Sequence, residues 1–225
     1  MSKKLKIIIL IILFGYKISN SQIIDQFGIR TGGSISQINW NYSNFFIDKI
    51  DFQKRIGFSF QAYADLLDKK YLNITTGLGY IEKGGVLNVT LVNEYGDPIG
   101  KSKRVSKINY LTYNIQLKGK YTLKKIVSYI SIGPRIDFTI KYDNIFQEIH
   151  DYDKLNEIIY GFVYSIGTGY ELKKIMIFMD FSKNINLNKI ANFTNSTSNI
   201  GVNVNDDTMI LSIGVSIKIN KDDDK

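Results

Sequence analysis

The 225-residue chain has no cysteine, two prolines, one tryptophan and one histidine. Without cysteine there is no disulfide framework, no thiolate metal site, no cysteine nucleophile and no lipid anchor on a cysteine. The lone histidine, His150, has no serine near it in sequence, so a serine–histidine hydrolase lacks its usual parts and a solvated loop histidine is the plainer reading. Metal chemistry is left to carboxylates. Asp151 with Asp153, or Asp206 with Asp207, would suit a weakly held calcium ion, but each pair also reads as loop acids in water. Gly77, Gly79, Gly84 and Gly85 lack the strand-to-helix context of a phosphate cradle. The expectation is therefore no enzyme, no cofactor and no metal. Long apolar runs are missing too: after Ile18 nothing approaches the roughly 20 residues that a membrane-spanning helix needs.

What the chain has in quantity is β-forming residues, with 15 Tyr, 13 Phe and 18 Gly. Residues 1–6 (MSKKLK) are basic, residues 7–18 are nearly all apolar, and Ser19 and Ser21 supply small residues before Gln22. That is the layout of a secretory signal peptide over residues 1–21, followed by one domain over residues 22–225. Removing Lys3, Lys4, Lys6 and Lys17 lowers the formal charge from +8 to +4. So mild a bias, much of it in turns, is no nucleic-acid footprint.

Apolar residues recur at every second position along most of the chain, and side chains on a strand point alternately to opposite faces. In residues 27–40, Phe27, Ile29 and Ile35 share one phase, while Gly28, Arg30, Gly32, Ser34 and Ser36 take the other. The same split runs from Ile56 to Leu66, from Leu72 towards Val92, from Tyr110 to Tyr121 and from Ile130 to Ile140. It returns from Tyr160 to Tyr170, from Ile175 to Phe181 and from Met209 to Ile219. Pro134 falls inside the fifth run, where proline ordinarily marks an edge or a bulge. Residues 145–159 break the alternation with helix-like spacing of Ile145, Ile149, Tyr152, Leu155 and Ile159, which predicts a short amphipathic helix. Residues 93–106 and 188–206 read as solvated loops.

Connections alternate long and short, and each short one carries a lysine pair: Lys69–Lys70, Lys124–Lys125 and Lys173–Lys174. About eight up-and-down strands then place all tight turns at one end and all long loops at the other. Bacterial outer-membrane barrels are laid out this way. Strand runs of this length meet the roughly 9–11 residues needed to cross a bilayer at a tilt. The expected fold is all-β, an eight-stranded antiparallel up-and-down transmembrane β-barrel. A soluble lipocalin-like binding protein would alternate as well, but its outward face would be rich in charge, whereas here the polar phase is mostly Gly, Ser, Thr, Asn and Gln.

The opening FGIRTGGSIS (27–36), ITTGLGYIEKGG (74–85), ISIGPRIDF (130–138), FVYSIGTGYEL (162–172) and the closing ILSIGVSIKI (210–219) resemble the outer-membrane β-barrel proteins of Bacteroidetes, including the PorT-like group. The resemblance implies an integral protein of the bacterial outer membrane, with some PorT-like members linked to protein secretion. Envelope or secretion proteins, outer-membrane lipid and lipopolysaccharide are the partners it suggests, and nucleic acid is not among them.

Charges in the polar phase mark the candidate site: Arg30, Asp65, Glu82, Lys118, Arg135, Asp137 and Asp180. In a low-dielectric lumen they must pair. An eight-stranded barrel leaves an interior just wide enough for side chains, so a salt-bridge network that fills the lumen is expected, centred on Arg135 and Asp137. A narrow pore or small-ligand transporter is the alternative. Lys101, Lys103, Arg104 and Lys107 fall at the long-loop end, where phosphates of lipopolysaccharide could pair with them.

Overall fold

The computed structural model describes residues 24–42, 52–67, 69–142, 155–194 and 201–219. The expected signal peptide, His150 and the Asp151–Asp153 pair lie outside them. The alternating runs all form strands: β1 (Ile24–Tyr42), β2 (Gln53–Leu66), β3 (Leu72–Val92), β4 (Pro98–Leu123), β5 (Ile126–Tyr142), β6 (Ile158–Leu172), β7 (Ile175–Asn186), β8 (Ala191–Thr194) and β9 (Gly201–Lys218). From β1 to β7 each pairs antiparallel with the next, β7 pairs with β9, and β1 closes on β9 from Gln26↔Lys218 to Tyr42↔Val202. Closure leaves no sheet edge in the wall. Eight strands make the ring; short β8 takes over from β7 along the upper part of β9.

The short connections between β2 and β3, at Lys124–Lys125 and at Lys173–Lys174 gather at one end, as the lysine pairs suggested. Lys124 and Lys173 take left-handed backbone conformations, with φ of 56° and 51°. Two features at the other end differ from expectation. Residues 98–106 are not loop: β3 and β4 run on as a two-stranded hairpin to a turn at 93–97. There Asn93 Oδ1 accepts bonds from the backbone N–H groups of Tyr95 (3.0 Å) and Asp97 (2.8 Å). Backbone pairing and this turn set the strand, while the dense charge hid its alternation. Most of the helix expected over 145–159 lies outside the described residues, but Ile158 and Ile159 are strand, because β6 starts early enough to meet Phe138 and Asp137.

Pro134 is neither at an edge nor at a bulge. It pairs with Phe162 on β6, and towards β4 the ladder is interrupted between Asn114↔Arg135 and Leu117↔Ile132 without a change of register. A missing N–H is thus absorbed as a local gap in a closed wall. Beside it the backbones run close, as at Gly32 and Gly161: a Cβ on Gly133 would lie 1.9 Å from the Ile115 carbonyl oxygen.

The two faces of the wall are chemically opposite, and their order reverses along the strands. Near the tight turns, large apolar side chains point out, with Ile130 64% and Ile213 61% exposed, while Ser131, Ser165, Ser212 and Ser216 are buried inside. Towards the long-loop end apolar side chains take inward positions beside the buried charges. Ile38, Ile81, Ile108, Tyr110, Ile159 and Val204 pack with Ala191 of β8 and with Phe52, Leu155 and Ile190 from the connections into an apolar plug. Outward positions turn polar at the same level, at Gln37, Lys54, Glu82, Asn109, Lys183 and Asp207. Register shifts fall there too, between Lys54 and Ser59 and between Asn109 and Tyr110.

Candidate functional site in the lumen

Inward phase alone decides which charges face the lumen, and the wall delivers them in three layers. Lowest, near the tight turns, Lys118 Nζ lies 2.7 Å from Asp65, which also accepts from Gln26 Nε2 (2.5 Å) and from Thr75. Lys218 pairs with Glu171 at 2.8 Å, and Asn73 donates to Asp25 at 3.2 Å. With Lys120 beside them this layer holds three cationic and three acidic side chains.

Aromatic rings form the floor of the next layer. Phe178 meets Tyr63 edge-on, with centroids 5.8 Å apart, and Tyr129 at 6.4 Å. Lys118 Nζ stands 4.5 Å from the Tyr129 ring centre, so the cation is held by a π-face as well as a carboxylate. Space for Phe178 comes from Gly214, where a Cβ would sit 2.3 Å from the ring. Above the rings, Arg30 on β1 reaches past β9 to Asp180 on β7, at 3.0 Å. Asp180 further accepts from Tyr129 Oη (3.2 Å) and Ser182 Oγ (2.6 Å). Arg30 also donates to Gln61 through Nε at 2.8 Å.

The top layer is set among the plug residues: Lys83, Asp137 and Asp206 pair in register with Ile108, Ile159 and Ile38. Arg135 pairs with Asp137 and donates to Asn186 Oδ1 at 2.5 Å. Lys83, 1% exposed, stands 3.0 Å from Asp137 and 3.1 Å from Asp206. Thr208 Oγ1 (2.6 Å) and Asn186 Nδ2 complete the bonds to Asp206. Two cations therefore face two carboxylates. A band of neutral groups separates this layer from the one below: Gln116 donates to Asn114 (2.9 Å) and accepts from Ser131 (2.7 Å).

Of the expected lumen charges, Arg30, Asp65, Lys118, Arg135, Asp137 and Asp180 are inside, and Glu82 is not. Glu82 shares the phase of outward Tyr80, which donates to it at 3.1 Å, and it pairs with Arg55 (3.1 Å) and Lys107 (2.7 Å). Lys83 and Asp206 were missed, one beside a glycine pair and the other inside a stretch that read as loop. Asp206 and Asp207 cannot share a calcium ion, because neighbouring residues on β9 point to opposite faces and Asp207 pairs outside with Lys183. Among the described residues no group of three His, Cys, Asp or Glu side chains is placed to hold a metal.

Of the expected basic cluster, Lys107 is held by Glu82, while Lys101, Lys103 and Arg104 are exposed on β4. Lys101 and Lys103 share the outward face of the hairpin, above the level where the wall turns polar.

No protein-family model matches the chain, and no curated protein matches it. Solved structures do. OprG, an outer-membrane protein of Pseudomonas aeruginosa, superposes with a TM-score of 0.55 at 13% identity, over 89% of this chain and 99% of its own. The fold is that of a small outer-membrane barrel. Neisserial surface protein A matches at a TM-score of 0.47 and 12% identity, over 86% of this chain and 97% of its own.

Proposed function

We propose that the chain is an integral outer-membrane protein with a side-chain-filled lumen that does not conduct, and that it serves the cell envelope through its outer face. The reversal of polarity along single strands carries this reading. A barrel wholly in water would keep its polar face outward throughout. Here the outward face is apolar from Leu111 to Tyr121 on β4, and it becomes polar above Leu111. Ten residue steps of about 3.4 Å, tilted by about 40°, cover roughly 26 Å, which matches the apolar band of about 25 Å on outer-membrane barrels. Tyr71, Tyr121 and Tyr170, 57%, 62% and 47% exposed, stand near the tight turns where an aromatic girdle belongs.

Charge balance in each layer supports a filled lumen over the alternative of a narrow pore or small-ligand transporter. A conducting path would favour one sign and an open bore. The cavities lined by lumen residues measure only about 20–40 Å³, room for little more than an ordered water or two. The exposed Lys101 and Lys103 suit phosphate groups of lipopolysaccharide, and the PorT-like resemblance adds a role as an accessory to protein secretion.

Fractionation tests the placement. The protein should stay with the membrane after salt and carbonate washing, and its gel mobility should shift on heating as the barrel unfolds. Recovery in the soluble fraction without detergent would overturn it.

A further inference from the structure

One stretch of the apolar belt is hollow. On the outer wall, between Tyr71 at one side and Leu211 at the other, lies a groove of about 690 Å³. Its cause is in the outward phase, which drops to Gly119, Ser128 and Thr168 between the bulkier Tyr121, Ile130 and Met179. Register explains why these gaps join: Tyr121 pairs with Ser128, Ser128 with Thr168 and Thr168 with Met179, one lateral row across β4 to β7. Gly119 lies in the adjoining row, opposite Ile130.

Every tight turn stands at the foot of this groove. Lys124 and Lys125 close the hairpin that carries Tyr121 and Ser128, and Lys173 and Lys174 close the one that carries Thr168 and Met179. Lys70 lies over the Tyr71 ring at 5.1 Å. All five are exposed, and none forms an ion pair among the described residues. An apolar slot that ends in ammonium groups with no ion-pair partner among the described residues complements a molecule with a hydrocarbon chain and an anionic head.

We propose that the groove is a site for one anionic phospholipid, its acyl chain in the slot and its phosphate among the turn lysines. The site rests on the membrane placement proposed above. Lysines at such a boundary extend their heads to the interface while their stems lie along apolar surface, and each adds attraction to an anionic headgroup.

Gly119 offers a clean way to fill the slot. A Cβ there would meet only Ile130 Cγ1, at 3.8 Å, so the backbone accepts a side chain at this position and Gly119→Leu fills the slot. The delipidated full chain in detergent is titrated with phosphatidylglycerol or phosphatidylcholine, and native mass spectrometry counts the bound copies. One phosphatidylglycerol should bind more tightly than phosphatidylcholine. Gly119→Leu should abolish that preference, and Lys124→Gln with Lys125→Gln should weaken binding roughly thirtyfold. Gly100→Leu, on the far hairpin where a Cβ meets nothing within 4 Å, should leave it unchanged. Equal binding of the two lipids, or a preference indifferent to both groove and lysine changes, would overturn the site. So would a dimer that Gly119→Leu dissociates, since the groove would then belong to a second copy. Heat-dependent mobility of the same samples separates the two readings: if it is retained, a negative result counts against the groove alone; if it is absent, the membrane placement fails and the site with it.

Discussion

Lys83 and Asp206 stand on strands that do not touch as neighbours in the ring, β3 and β9, yet their charged groups meet 3.1 Å apart inside the lumen. With Asp137 of β5 at 3.0 Å from the same ammonium, three separate parts of the wall are tied across the barrel. Removing one member of a buried pair leaves the other charge without compensation, at a cost of about 3–5 kcal/mol. Lys83→Met should therefore lower unfolding stability in urea by about that much. Lys83→Met combined with Asp206→Asn should recover part of the loss. A change within about 0.5 kcal/mol, as for an ordinary surface substitution, would mean that the layer contributes nothing.

The outward belt makes an opposite demand. Ile166 points out from the middle of β6 and is 59% exposed. At the centre of a bilayer Ile166→Arg should cost about 2–4 kcal/mol in refolding from urea into lipid vesicles. Thr90→Arg, on the hairpin above the belt, should stay within about 0.5 kcal/mol. Equal effects at the two positions would argue against lipid around Ile166.

Most of the wall was legible because burial has a period of two in a strand. Ile29, Phe60, Tyr164, Phe181 and Ile213 face outward as their phase requires, and the lysine pairs mark the turns. Glu82 shows where charge misleads: its side chain argues for the lumen, but its phase is that of Tyr80, and phase prevails. The partnerships inside were not legible. Which residues meet across the lumen depends on tilt and stagger of the closed sheet: Arg135 pairs with Asp137 two residues away on its own strand, while Lys83 and Arg30 find partners far along the chain. The plug left a faint signal: around Ile81, Ile108 and Ile159 apolar residues occupy both phases.

Lys173 begins a two-residue turn at φ 51°. A left-handed conformation costs a residue with a Cβ about 1–2 kcal/mol, and the added freedom of glycine in the unfolded chain returns about 0.5–1 kcal/mol of that. Lys173→Gly should thus stabilise the barrel by about 0.5–1 kcal/mol. Lys174→Gly, one residue on and outside that region, should gain nothing. Urea midpoints of the two variants compare them directly.

Lys101 and Lys103 differ from Lys107 in having no carboxylate partner in the described structure, whereas Lys107 is 2.7 Å from Glu82. If the hairpin meets lipopolysaccharide phosphates, Lys101→Gln and Lys103→Gln should each weaken binding to lipopolysaccharide micelles by roughly fivefold. Lys107→Gln should have a smaller effect. Equal losses at all three positions would point to general charge rather than to the outward face of the hairpin.

Conductance in planar bilayers tests the filled lumen most directly. The reconstituted protein should show no steady current, because three charge-balanced layers and the apolar plug leave no continuous path. A steady, ion-selective current that Arg135→Ala alters would contradict the account and make the lumen a pore.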